Sequence, residues 1–296
     1  MKVPASMNIH FTIFAWLAVL HIAVVSISIA QQDTTIHKPA RITLADESEL
    51  IGTIVQRDST SLIFKTVGNI TITIPNNQIR TIEYLSGKII GGKYVASDPN
   101  RTRLLFAPTA RPLEAGQGYF SVSQIFFPML AVGIENVVTL AGGISLFPVA
   151  SNQLVYFAPK VTPLNREDLT VGAGLFYLKS TDSGTDGLGF YYGVGTYGRE
   201  DRAITVGLGW GFSGTDVSDK PVFLLGGEQS LSNSIKLITE NWIVPDSEVD
   251  LLSLGIRFFG EKLAADIGLI YPSGSRITGF PFFPWVGFVY NFGTDE

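Results

Sequence analysis

Four charged side chains, Glu228, Glu240, Arg257 and Asp266, stand in segments otherwise built from alternating apolar and small residues. Arg257 shares a face with Ser253 and Gly255, opposite Leu252, Leu254, Ile256 and Phe258. Asp266 shares one with Ala264 and Gly268, opposite Leu263, Ile267 and Leu269. A period of two belongs to a β-strand, so both charges project to the small-residue side. Glu228 and Glu240 lie on the two preceding strands. The phase of 234–243 stays open, because Lys236, Ile238, Glu240 and Trp242 compete with Ile235, Leu237 and Ile243. Such a cluster could neutralise itself as buried ion pairs, line a permeation or ligand site, or perform acid–base chemistry through its carboxylates. The ion-pair network ranks first, since an unpaired buried charge is costly, and Arg257 is expected to pair with Asp266 or Glu240.

Other chemistry is narrowed by what the chain lacks. Its three histidines, His10, His21 and His37, are all near the N-terminus, and it has no cysteine. No residue beyond 37 can therefore act as an imidazole base for a hydroxyl or water nucleophile, and thiolate catalysis is excluded. The run 193–198, Gly-Val-Gly-Thr-Tyr-Gly, formally matches a dinucleotide fingerprint, but both flanks read as strand and no helix N-terminus follows to hold a pyrophosphate. Asn69-Ile70-Thr71 and Asn100-Arg101-Thr102 match the glycosylation pattern by chance. The sequence predicts no enzyme, no cofactor and no metal site.

The elements that position the charges are strands of an unusual composition. Leu169, Val171, Ala173, Leu175 and Tyr177 alternate on one face, as do Leu188, Phe190, Tyr192, Val194 and Thr196, and Ile204, Val206, Leu208, Trp210 and Phe212. Their other faces carry Gly172 and Gly174; Gly187, Gly189, Gly193 and Gly195; and Gly207, Gly209 and Gly211. A soluble sandwich would show Lys, Glu, Ser and Thr there. A bulky band opposite a nearly side-chain-free face predicts a closed barrel with lipid outside and a narrow interior, with Phe176, Tyr191 and Tyr197 inward.

Twelve strands are expected at about 118–126, 129–134, 137–147, 152–161, 168–178, 186–198, 202–212, 221–229, 234–243, 249–259, 263–271 and 284–292. Connections after even-numbered strands are mostly short, whereas 179–185, 213–220, 244–248 and 272–283 are longer; 162–167 breaks the rule. Short periplasmic turns and longer outer loops are the pattern of outer-membrane barrels. It would put residue 118 and the C-terminal tail on the periplasmic side.

Upstream, a mostly apolar run over 11–29 ends in Ser28-Ile29-Ala30, which reads as a signal peptide covering 1–30. Without those residues, which contain Lys2 as their one charge, 20 basic and 26 acidic residues leave a formal charge of −6. With no block of like charge, nucleic acid is excluded as a partner. Residues 41–85 read as five short strands at 41–44, 50–56, 61–66, 69–74 and 78–84, separated by turn clusters. Residues 86–116, rich in Gly and Pro, are a connector; their apolar patch Leu104-Leu105-Phe106 makes them either a linker with a short strand or a plug in the barrel mouth.

The stretch ITLADESELIGTIVQRDSTSLIFKTVGNITITIPNNQIRTIEYL resembles the small Sm-like or SH3-like barrels of exported bacterial proteins. The last strand, WVGFVYNF, resembles the aromatic-rich closing strand of bacterial outer-membrane proteins, although Gly293-Thr294-Asp295-Glu296 follows it. Together with FAPTARPLEAGQGYF, these segments resemble an uncharacterised outer-membrane barrel family of the Bacteroidetes type, which implies a fold and no established activity. Outer-membrane hydrolases of similar shape need a barrel histidine that this chain does not have.

The sequence therefore predicts an all-β protein: a transmembrane antiparallel β-barrel of about twelve strands (10–14) over 117–293, with a small five-stranded module. Expected partners are outer-membrane lipid, the barrel-assembly machinery and a periplasmic protein recruited through 41–85. The expected role is binding or passing small molecules, or scaffolding the envelope. The alternatives are a barrel-embedded carboxylate enzyme and a soluble secreted β-sandwich.

Overall fold

The computed structural model describes residues 38–182, 184–245, 249–274 and 281–293. The expected signal peptide, all three histidines and the C-terminal tail after Gly293 lie outside them.

The first five strands, β1 (Pro39–Leu44), β2 (Glu49–Arg57), β3 (Ser61–Thr66), β4 (Thr71–Pro75) and β5 (Ile79–Tyr84), form an antiparallel sheet in the order β4-β3-β2-β1-β5. Their apolar alternation closes on a small core of Ala40, Ile42, Leu62, Phe64 and Ile74. Turn chemistry sets the breaks. Between β2 and β3 the Asp58 carboxylate accepts the backbone N–H groups of Thr60 and Ser61 at 2.7 and 2.8 Å, an Asx-type turn. These hydrogen bonds hold its carboxyl down at about 2. A short hairpin, β6 (Gly87–Ile90) and β7 (Lys93–Ala96), follows.

The remaining strands close into a barrel. They are β8 (Gly118–Ser123), β9 (Phe127–Ile134), β10 (Val138–Ile144), β11 (Leu154–Phe157), β12 (Lys160–Asn165), β13 (Leu169–Ser180), β14 (Leu188–Gly198), β15 (Arg202–Ser213), β16 (Asp216–Ser232), β17 (Ile235–Ile243), β18 (Asp250–Phe259), β19 (Leu263–Ser273) and β20 (Phe283–Phe292). Each pairs antiparallel with its neighbours, and β20–β8, β8–β9 and β9–β10 complete the circle. β11 and β12 are halves of one barrel strand: both pair with β10 and with β13, and Pro159, which has no N–H to give to a ladder, lies at the break. The barrel is thus twelve-stranded.

That broken strand corrects the irregular connection expected at 162–167. The strand runs on to Asn165, so the turn there is only 166–168. All five connections at this end of the barrel are then two or three residues long, whereas those at the other reach nine. The loop expected at 213–220 is also mostly strand: Gly214 adopts φ of 58°, and Ser213 faces Asp216 across a tight turn.

One strand face is reversed relative to expectation. On β14 it is Phe190, Tyr192, Val194 and Thr196 that point inward, while Tyr191 and Tyr197 are 43% and 66% exposed on the outer surface. The orientation is fixed by Thr196, whose Oγ1 accepts the N–H of Ala110 inside the barrel. Register explains it. Val194 lies between Gly172 and Gly207, and Tyr192 between Gly174 and Gly209, so each bulky inward side chain of β14 fills space left by glycines on both sides. Three bulky strand faces side by side outward would have left that interior empty. Phe176 points inward as expected.

On the outside, from β18 to β20, Leu254, Ile256, Phe258, Leu263, Ile267, Leu269, Phe288 and Tyr290 are exposed. The polar outward pair Thr239 and Asn241 satisfies itself: the Thr239 hydroxyl donates to Ser253 O and the Asn241 Nδ2 to Leu225 O.

Candidate functional site

The lumen is not empty. Residues 97–113 turn back into it from the short-turn end as a tight hairpin: Leu104 N donates to Ala107 O at 2.8 Å, Thr109 N to Thr102 O at 2.9 Å, and Arg103 bridges to Pro108. Leu104 is fully buried and Leu105 2% exposed, against Leu224, Ile238 and Trp285 of the wall. Wall glycines make the room. Leu104 packs directly on Gly226, and a methyl group at Gly255 would stand 2.8 Å from Leu105 Cδ2.

This hairpin completes the charge cluster. The buried Asp, Glu, Lys and Arg side chains among the described residues are Asp98, Arg103 and Arg111 from the hairpin and Lys160, Glu228, Lys236, Glu240, Arg257 and Asp266 from the wall. Arg257 is the hub. Its Nε donates to Asp266 Oδ1 at 2.6 Å and its Nη1 to Asp98 Oδ2 at 3.0 Å. The same guanidinium also donates to three hairpin carbonyls, Asn100 at 2.9 Å, Arg103 at 3.2 Å and Leu104 at 2.5 Å. A planar fork with five N–H donors suits this task in a way that a lysine does not.

The other charges tie the hairpin at further points. Arg103 Nη2 lies 2.8 Å from Asp266 Oδ2, and Lys236 Nζ lies 3.2 Å from Asp98 Oδ2. Lys236 also stands 3.7 Å from Glu228, which Arg111 contacts directly. Burial alone would raise the Asp98 carboxyl, but the Lys236 and Arg257 cations outweigh it and hold the group far below the usual carboxylate range.

Of the four side chains singled out in the sequence, all are inward and buried, which also settles the phase of 234–243 in favour of Lys236, Ile238, Glu240 and Trp242. Arg257 and Asp266 meet. Glu240 does not join them, contrary to one of the two pairings expected. Its Oε2 instead accepts the backbone N–H groups of Phe106 and Ala107 at 2.8 and 2.9 Å, and its Oε1 accepts Trp242 Nε1 at 2.8 Å. A carboxylate placed beside the hairpin tip meets two amide donors there before any guanidinium.

Sequence reading missed Asp98, Arg103, Arg111, Lys160 and Lys236. The signal was in the connector: acidic and basic residues closely flank the patch Leu104-Leu105-Phe106, a composition suited to a polar lumen rather than to a flexible linker.

Beyond the tip, toward the longer loops, lies a cavity of about 380 Å³ walled by Phe106, Phe190, Tyr192, Leu224, Trp242 and Leu251. Phe106 meets Phe176 and Trp285 edge-on, at centroid separations of 5.7 and 6.2 Å, and Phe190 meets Trp242 in the same way at 5.9 Å. The cavity is apolar and aromatic, and its floor is the hairpin itself.

No protein-family model matches this chain, and no curated protein matches it. Among solved structures, a KdgM porin in complex with disordered oligogalacturonate overlaps 59% of this chain and 96% of its own, at 8% identity and a TM-score of 0.45. OmpT of Vibrio cholerae, an outer membrane protein, overlaps 86% of this chain and 95% of its own at 13% identity and a TM-score of 0.33. Neither reaches a TM-score of 0.5, and no role is carried from either protein to this chain.

Proposed function

We propose that this chain is an outer-membrane barrel whose lumen is closed by its own hairpin, and that it binds small molecules from the long-loop side and passes them only when the hairpin moves. The membrane placement follows from the outer surface. The barrel strands' outward residues from Leu254 to Phe258 and from Leu263 to Leu269 carry no charge, and ten strand residues tilted at ~40° span about 25 Å, the height of a lipid-facing band. A closed barrel also satisfies its backbone without water.

The observation that carries the proposal is the Arg257 hub. One wall guanidinium holds three carbonyls and a carboxylate of the hairpin, which makes the inserted segment a built part of the lumen. Nothing in the site pairs a nucleophile with a base, and each carboxylate is already taken by a guanidinium, an ammonium or amide donors. The reading is accordingly non-enzymatic. The five-stranded module then stands in the periplasm as the handle upstream of the hairpin, where a periplasmic partner could reach it.

Planar-bilayer conductance of the refolded full chain, beside a variant lacking 98–112, tests this. The full chain is expected to be silent or to open rarely, and the variant to conduct. Equal conductance in the two would reject the hairpin as the closing element.

A further inference from the structure

The lumen holds one more cation than its carboxylates neutralise. Asp98, Glu228, Glu240 and Asp266 stand against Arg103, Arg111, Lys160, Lys236 and Arg257. Glu240 is held by amide and indole donors, and the other three acids are shared among Lys236, Arg103, Arg111 and Arg257. Lys160 is the cation left over: among the described residues no carboxylate lies within ion-pair distance of it. Its Nζ donates to the carbonyls of Thr109 and Arg111 at 2.7 and 2.6 Å, which leaves a third N–H.

Lys160 lines a second, smaller cavity of about 60 Å³, together with Arg103, Thr102, Tyr119 and Thr139. That volume has room for a small polar group such as a carboxylate. Thr102 is 5% exposed, and its Oγ1 has no hydrogen-bond partner. Apolar side chains, among them Met129, Ala141 and Ala158, make up the rest of the wall, and a buried hydroxyl left unpaired beside Lys160 and Arg103 in such a cavity is a site awaiting a partner.

The small cavity adjoins the large one. Phe106, Pro108, Phe190 and Tyr192 line both, so the end that carries Lys160, Arg103 and Thr102 and the aromatic, apolar end share these four side chains. We propose that the lumen binds an amphipathic monocarboxylate, with its carboxylate at Lys160 and Thr102 and its apolar body in the aromatic cavity. The anion neutralises the surplus cation where water is scarce, and the body removes apolar surface from water. The site rests on the closed-lumen reading, because Phe106 and Pro108 of the hairpin form part of both cavities.

Isothermal titration of the full chain in lipid nanodiscs tests the site, with empty nanodiscs subtracted for partitioning. The probes are octanoate, its uncharged counterpart octanamide, and acetate. Octanoate is expected to bind roughly tenfold tighter than octanamide, the effect of one charge-assisted contact, and acetate far more weakly than either. Lys160→Met should remove the preference and leave octanoate and octanamide equal. Because Lys160 also holds two hairpin carbonyls, Leu251→Trp provides a second variant at the rim of the apolar cavity, outside the charge network. It should weaken both eight-carbon probes by a similar factor and leave their ratio unchanged.

Equal binding of octanoate and octanamide to the unaltered chain would overturn the proposal. So would a preference that survives Lys160→Met, or unchanged binding of both probes by Leu251→Trp. A full chain that conducts continuously defeats the closed-lumen reading itself, whereas a silent barrel indifferent to the carboxylate defeats only the ligand site.

Discussion

Replacing Arg257 by methionine isolates what holds the hairpin in the lumen. The substitution leaves neither carboxylate orphaned, since Asp98 keeps Lys236 at 3.2 Å and Asp266 keeps Arg103 at 2.8 Å. What the hairpin loses is the donor to three buried carbonyls, those of Asn100, Arg103 and Leu104, and one of the two cations on Asp98. At about 1 kcal/mol for each carbonyl, the hairpin loses ~3 kcal/mol of docking, the lower end of the ~3–5 kcal/mol expected on breaking a buried ionic contact. That is roughly a hundredfold rise in the undocked population. The barrel's strand ladder does not involve the guanidinium, so heat-modifiable migration on gels should not change. Single-channel recording is the assay: Arg257→Met should open about a hundred times more often than the unaltered chain. The same opening frequency in both, with the variant correctly inserted, would refute the assignment of Arg257 as the hub.

The depressed Asp98 carboxyl sets a pH window. A lowered folded value contributes docking that is fully present above the ordinary carboxylate range and is lost as pH falls below about 4, so opening frequency should stay flat from pH 8 to pH 5. Loosening between pH 7 and pH 5 would contradict that. Gly255→Val drives a side chain into Leu105 and should cost the docked hairpin about 1–3 kcal/mol, seen as more frequent openings without loss of insertion. Glu240→Ala strips the acceptor from the amides of Phe106 and Ala107. It should loosen the tip, and a double-mutant cycle should find coupling of ~0.5–3 kcal/mol between Arg257 and Asp266 and a smaller coupling, carried only through the hairpin, between Arg257 and Glu240.

The barrel was legible wherever a strand's own alternation decided its orientation. On β18, β19 and β20 the apolar residues are consecutive alternates with small or charged residues between, and Arg257 and Asp266 point inward as their phase requires. β14 misled because it is bulky on both faces: Phe190, Tyr192 and Val194 alternate with Tyr191 and Tyr197, and only the glycines of β13 and β15 choose between them. That choice is a cross-strand property, which one strand's sequence does not contain. The charge cluster was half legible for a related reason. Four of the six wall charges, Glu228, Glu240, Arg257 and Asp266, announced themselves by breaking an apolar pattern, whereas Asp98, Arg103 and Arg111 lie in an irregular segment with no period to break. Their role follows from where the chain turns back, and that is set by contacts such as Leu104 on Gly226 and Glu240 on the tip amides, each more than a hundred residues apart in sequence.

The absence of cysteine makes the occupied lumen directly measurable. A single cysteine placed at Leu105, 2% exposed at the hairpin tip, can be compared with one at Val149, 97% exposed in a connection at the long-loop end. In outer-membrane vesicles a water-soluble maleimide should label Cys at 149 rapidly and Cys at 105 slowly, and adding Arg257→Met should speed labelling at 105 by roughly the hundredfold worked out above. Labelling at 105 as fast as at 149 in the otherwise unaltered chain would mean that the hairpin does not fill the lumen.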